Sequence, residues 1–309
     1  MGHGTQADPP TDGSGPLVGI RLLTMALRVP GPVAAQRLRL LGARIVKIEP
    51  PAGDHLATQA PEWYRGLHES QEIVRLDLRN DADVAKLHGL LEESDLLLTS
   101  QRARVLERLG LAWPALHMRH PRICAVEITG HPAPRQNVPG HDITYLAEAN
   151  LLDPPRMPRT LLADLAGAER AVQAALALIL ERQRFGRVGH REIPLSTVAE
   201  DFAAPLRHGL TLATGPLGGG APGYRIYRAR TGWVALGAVE EHFQARLREL
   251  LGIASLDRTE LERIFLTRPA DEWAAWARAH DLPLAAVATS AGASTHAESE
   301  HLDDGGDPI

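Results

Sequence analysis

Two short segments carry ionisable side chains of the kind that move protons, each where a loop hands over to a helix. The first is Gly140-His141-Asp142-Ile143-Thr144-Tyr145-Leu146-Ala147. The second is Leu161-Leu162-Ala163-Asp164-Leu165-Ala166-Gly167, which opens the longest helical pattern in the chain. Capping competes with chemistry at each position. A carboxylate at a helix start satisfies free backbone N–H groups whatever else it does, so Asp164 reads first as an N-cap. His141 reads as a surface or capping residue, and Asp142 as the N-cap of a helix from Ile143. The run Gly218-Gly219-Gly220 is a weak phosphate-loop candidate, because no helix opens directly after it; a hinge or sharp turn is the better reading.

Other chemistries lack their signatures. There is no Walker P-loop, no glycine fingerprint for dinucleotides, no HExxH and no G-x-S-x-G, which removes the usual marks of phosphoryl transfer, hydride transfer, zinc hydrolysis and serine hydrolysis. The single cysteine, Cys124, excludes an internal disulfide framework and a multi-cysteine metal site. It lies in the apolar run Ile123-Cys124-Ala125-Val126 and reads as core. The net charge of −5 comes with no basic stripe, so nucleic acid is not expected as a partner. Lys47 and Lys86 are the only lysines; the remaining cationic side chains, histidine aside, are arginines. No 18-residue apolar stretch and no signal-peptide pattern is present, so the expectation is a cytoplasmic protein without a membrane segment.

The elements that must position these residues alternate. Strand patterns fall at 18–24, 44–48, 73–78, 95–99, 123–128 and 192–195. Helical patterns fall at 33–41, 81–93, 102–109, 114–119 and 164–184, the last apolar almost all round at 171–180 and closed by Gly186. Pro30-Gly31-Pro32 reads as a break after the first strand. A β-α-β-α order implies a parallel sheet with helices on both faces. The expected organisation is a disordered leader (1–15), a large α/β domain (16–198), a linker (199–221), a small α/β domain (222–288) and a disordered acidic tail (289–309). In the small domain Trp273 and Trp276, three apart on a helical pattern, read as core. The tail histidines His296 and His301 read as solvated.

Several fragments in order resemble one family. They are Pro16-Leu17-x-Gly19-Ile20-Arg21-Leu22-Leu23, Gly31-Pro32, the stretch from Leu41-Gly42-Ala43 through Ile45-Val46-Lys47-Ile48-Glu49-Pro50-Pro51 to Gly53-Asp54, Leu76-Asp77-Leu78, Arg108-Leu109-Gly110-Leu111, Thr129-Gly130, Gly219-Gly220-Ala221-Pro222 and Gly237-Ala238-Val239-Glu240. Together, over roughly residues 16–288, they resemble the class III CoA-transferases, the carnitine and bile-acid type, and within it the α-methylacyl-CoA racemase branch. The resemblance implies an open, parallel, Rossmann-like sheet without a dinucleotide fingerprint, a smaller α/β domain, an active site between the domains and a homodimer.

The resemblance also assigns roles. His141 and Asp164 exchange the α-proton of a 2-methylacyl-CoA, trading base and acid between enantiomers, while backbone N–H groups at the Asp164 helix start hold the enolate. Glu240 orients the histidine. Lys47 contacts CoA, with Arg28 and Arg75 as further CoA candidates. No metal and no prosthetic group is implied; coenzyme A enters as part of the substrate, an acyl-CoA thioester. Two alternatives stand beside this one. Asp164 alone could attack a thioester, form an acyl-enzyme anhydride and pass CoA between carboxylic acids. Or the chain is a non-catalytic CoA-binding relative, a reading motivated by Glu69 and Glu72, which replace a basic stretch and would repel phosphate.

Overall fold

The computed structural model describes residues 15–288. The leader and tail readings, with His296 and His301, fall outside the described residues but for Gly15. The chain divides into two compact units between Ala203 and Ala204.

In the first unit the elements are β1 (Arg21–Thr24), α1 (Pro30–Leu40), β2 (Arg44–Glu49), α2 (Leu56–Gln59), α3 (Pro61–Leu67), β3 (Glu72–Arg75), α4 (Asp81–Glu92), β4 (Leu96–Thr99), α5 (Ala103–Arg108), α6 (Trp113–Arg119), β5 (Cys124–Thr129), α7 (Asp142–Glu148), α8 (Leu162–Phe185), β6 (His190–Pro194) and α9 (Leu195–Phe202). The six strands form one parallel sheet in the order β3-β2-β1-β4-β5-β6, as the β-α-β-α pattern predicts. Because side chains alternate across a strand, β2 sends Ile45 to one core and Val46 and Ile48 to the other. The first core is closed by α1 and α8, the second by α4, α5 and α6. Cys124 is buried in the first.

Three local expectations are corrected. Pro30-Gly31-Pro32 does not separate a strand from a later helix; it starts α1, with Pro30 at the first helical position, where its missing N–H costs nothing. A Cβ at Gly31 would collide with Ala26, so only glycine lets the helix fold back over the end of β1. The third strand ends at Arg75; the Leu76 N–H still donates to Glu49 O at 2.9 Å, and the chain then enters a turn at 78–79. In α8 the stretch 171–180 is not buried all round: Gln173 and Ala177 are exposed, and Leu180 is 51% exposed. The buried face, Ala171, Val172, Ala175, Leu178 and Ile179, packs on α1 and β5. Gly186 ends the helix at φ 64°, a left-handed cap suited to glycine.

The second unit holds α10 (Ala204–Arg207), β7 (Tyr224–Arg228), β8 (Trp233–Gly237), α11 (Glu241–Leu251), α12 (Arg258–Phe265), α13 (Ala270–Ala279) and β9 (Leu284–Ala286). Its strands form an antiparallel sheet in the order β7-β8-β9. Trp273 is buried, stands edge-on to Phe265 and Trp276, and donates its indole N–H to the Phe265 carbonyl at 2.9 Å. The glycine run lies in packed turns: Cβ atoms at Gly218 and Gly220 would strike the Leu212 and Thr214 carbonyls. Among the described residues no helix is long and apolar enough to cross a membrane.

Candidate active site

The strand order reverses direction at β1, which has β2 on one side and β4 on the other. Loops leaving the carboxyl ends of strands at such a point diverge and leave a crevice. Here the loops after β1 and β4 are stitched together: Met25 N–H donates to Leu98 O at 2.9 Å, Leu27 N–H to Ser100 Oγ at 3.3 Å, and the Gln101 amide to Met25 O at 3.3 Å. Beyond them opens a cleft of about 430 Å³. Arg28, Gln101, Arg102, His141, Tyr145 and Asp164 all line it.

His141 is the N-cap of α7. Its backbone N–H donates to Thr144 Oγ1 at 3.0 Å, and the Thr144 hydroxyl donates back to His141 O at 2.7 Å. The loop is thereby closed by backbone and hydroxyl, and the exposed imidazole is left to the cleft. Tyr145, one turn on, is buried. Its ring lies where a Cβ on Gly130 or Gly140 would be, so both glycines are required by its size. Burial, and then the charge of Asp164, push its hydroxyl up to about 12, so it faces the cleft as a neutral phenol.

Asp164 is in the first turn of α8 but is not its N-cap; Leu161 holds that position. The residue that caps the helix comes from elsewhere. Asp142 is buried, and its Oδ1 accepts the Asp164 backbone N–H at 3.0 Å. This joins the starts of α7 and α8 and corrects two expectations. Asp142 is the first residue of α7 rather than its cap, and the Asp164 N–H is already bonded rather than open to an enolate. The Asp164 carboxyl is pushed up to about 7, first by burial, then by the charge of Asp142, with the Arg28 cation opposing. Asp142 was missed as a site residue because its partner lies 22 residues away; its only trace is its place between His141 and an apolar position.

Of the other expected residues in the first unit, one reaches the cleft. Arg28 follows β1 and lines the cleft. Lys47, expected on CoA, is instead fully buried beneath the β1 loop. Its ammonium lies 2.8 Å from Asp54 Oδ2, 3.0 Å from Glu49 Oε1 and 2.7 Å from His68 Nε2. Burial and the neighbouring ammonium lower the His68 pKa, which keeps Nε2 an acceptor while Nδ1 faces Tyr64 O at 2.7 Å. The Glu49, Asp54 and His68 ligand atoms are close enough together to suit a metal ion, but the ammonium holds the central position. An ammonium so enclosed has no face left for a phosphate. Arg75 is exposed at the end of the edge strand β3 and lines neither this cleft nor the next. Glu240 is the exposed N-cap of α11 in the second unit. Glu72 pairs with Arg44 at 3.2 Å.

A second cleft of about 480 Å³ shares Leu27, Gln101 and Val105 with the first. It is more apolar, with Met25, Ile48, Leu76 and Leu78 in its wall and Arg79 and Arg108 at its margin. Arg79 is held by Asp77 through two bonds of 2.9 Å.

Residues 17–304 match CoA-transferase family III. The chain belongs to that family. It is 30% identical over 259 residues to the human α-methylacyl-CoA racemase, covering 77% of this chain and 65% of the racemase, so it spans about two-thirds of that relative's length. It is also 30% identical over 139 residues to cinnamoyl-CoA:phenyllactate CoA-transferase of Clostridium sporogenes, covering 41% of this chain and 34% of that one. A solved Mycobacterium tuberculosis structure, of a protein named a probable fatty acyl-CoA transferase, aligns with a TM-score of 0.78 at 25% identity, over 90% of this chain and 84% of the other. A CAIB/BAIF family protein from Brucella suis has the same fold, with a TM-score of 0.74 at 21% identity, covering 89% and 84%.

Proposed function

We propose that this family III chain binds an acyl-CoA thioester with the acyl carbon in the first cleft, and that it inverts the α-carbon by proton exchange between Asp164 and His141. The observation that carries the reading is that these two groups line one cleft, with the Asp164 carboxyl near 7. A carboxyl with that affinity is present in both forms at neutral pH, so it can take the proton from one enantiomer and return one to the other. The thioester carbonyl accepts the electron pair of the broken C–H bond and becomes the enolate oxygen. Asp142 holds the Asp164 backbone in place. The adjoining apolar cleft suits the adenine and pantetheine portions, with Arg108 at its margin for phosphate.

A second reading has its own support: Asp164 is the one carboxylate among the first cleft's lining residues, and CoA-transferases stand among the relatives. There Asp164 is a nucleophile and His141 is dispensable. Incubation of the protein with a 2-methylacyl-CoA in D₂O, followed by proton NMR, separates the two. Loss of the α-proton signal with inversion in the natural protein, and loss of that inversion in both His141→Ala and Asp164→Ala, is the expected result. No exchange, with CoA passing to a free carboxylate and hydroxylamine trapping Asp164, would replace the racemase reading with the transferase one.

A further inference from the structure

Arg28 has a backbone φ of 72°, in the left-handed region that a residue with a Cβ seldom occupies. An outlier of this kind persists only where its surroundings impose it, and it is a pointer to function. The imposition comes from below. Both oxygens of Asp54 lie 3.2 Å from the Arg28 backbone nitrogen. The same carboxylate is fixed by Lys47 at 2.8 Å and by the Leu56 N–H at 3.0 Å. Asp54, Lys47 and Glu49 are all buried. A rigid ionic cluster therefore sets the peptide from which the Arg28 side chain enters the cleft.

The guanidinium itself is unmatched. Among the described residues it makes no ion pair and no hydrogen bond. Its charge opposes the rise of the Asp164 pKa, and both residues line the first cleft; the Asp164 carboxyl is only partly charged at neutral pH. A positive charge thus lines the same cleft as the group that would act on the α-carbon. CoA's own phosphates are separated from the thioester by the whole pantetheine arm, so a cation in the cleft proposed for the acyl carbon is poorly placed to serve them. Planar guanidinium matches carboxylate in geometry as well as charge.

Resting on the acyl-CoA reading above, we infer that Arg28 receives a free carboxylate on the acyl group, so that the preferred substrate is the CoA monothioester of a branched dicarboxylic acid. Calorimetric titration of the full chain with two inert thioethers tests this directly: S-(3-carboxypropyl)-CoA and the equally long S-butyl-CoA, with CoA as reference. The expected result is a preference of about tenfold or more for the carboxylate ligand, since a site built to bond a polar group discriminates strongly against its absence. Arg28→Met should remove that preference and leave S-butyl-CoA binding within about twofold, and Arg28→Lys should restore part of it. Equal affinities in the natural protein, a preference that survives Arg28→Met, or an equal loss for both ligands would each overturn the assignment. Failure to bind any of the three, CoA included, would remove the acyl-CoA reading and this inference with it. A carboxylate preference without α-proton exchange would remove only the proposed chemistry.

Discussion

Asp164 carries the pH behaviour at the scale of single residues. Its carboxyl, held near 7 by burial and by Asp142, should give kcat/KM for proton exchange a limb with an apparent pKa of about 7. Asp142→Asn removes one raising charge and keeps an acceptor for the Asp164 N–H, so that limb should move to lower pH. An unmoved limb would mean that another group titrates. The sign for stability follows from the same shift. A carboxyl whose pKa rises on folding favours the folded state below its unfolded value, and that contribution is lost as pH climbs toward 7. Asp164→Asn should therefore match the natural protein in Tm near pH 4 and exceed it at pH 8; equal Tm values throughout would contradict the burial argument. Lys47 tests a different point. Lys47→Met leaves Asp54 and Glu49 buried without their cation, and should cost about 3–5 kcal/mol in denaturant unfolding. Unchanged stability with weakened CoA binding would return Lys47 to the ligand. His141 and Asp164 were legible because each sits in a contiguous motif. The environment of Lys47 was not, because β2 is covered on both faces and no local pattern says that Glu49, Asp54 and His68 converge on it.

Among elements, the central strands and long helices were readable because apolar runs and helical periodicity mark them directly. The short helices α2 and α3 have too few residues to show a period. The strand at 73–78 was overextended because 76–78 keeps an alternating pattern past the end of β3, with Leu76 and Leu78 lining the second cleft. Helices α4 and α6 are joined by a contact no pattern displays. His88 Nδ1 lies 3.0 Å from His120 Nε2, and both rings are buried. Burial, followed by the charge of Arg119, lowers both pKa values. Histidines kept neutral by folding add stability that is present above their unfolded value, near 6.5, and is lost as pH falls below it. Between pH 7.5 and 5.5 this loss runs against the gain from protonating Asp164, so it is read in urea unfolding as a difference between two proteins over that range. The His88→Gln, His120→Gln double variant should lose less, with His68 accounting for a remaining part. An identical loss in both proteins would show that this pair does not set acid sensitivity.

For the whole molecule, the alternation of strands and helices was enough to reach a parallel sheet, but not the order β3-β2-β1-β4-β5-β6 that puts a crevice at β1. Charge adds what topology omits. The net charge is −5, yet Arg28, Arg102 and Arg104 gather at one cleft, and among the described residues none of the three is in an ion pair. A chain acidic as a whole and cationic at its cleft is arranged for an anionic substrate. In the proposed reaction two different residues serve the two faces of one α-carbon. Deuterium uptake from D₂O into each separate enantiomer of a 2-methylacyl-CoA tests it most directly. The natural protein should label both enantiomers, while His141→Ala and Asp164→Asn should each lose inversion and keep residual labelling of opposite enantiomers. Labelling of the same enantiomer by both variants, or inversion that persists in either, would contradict it.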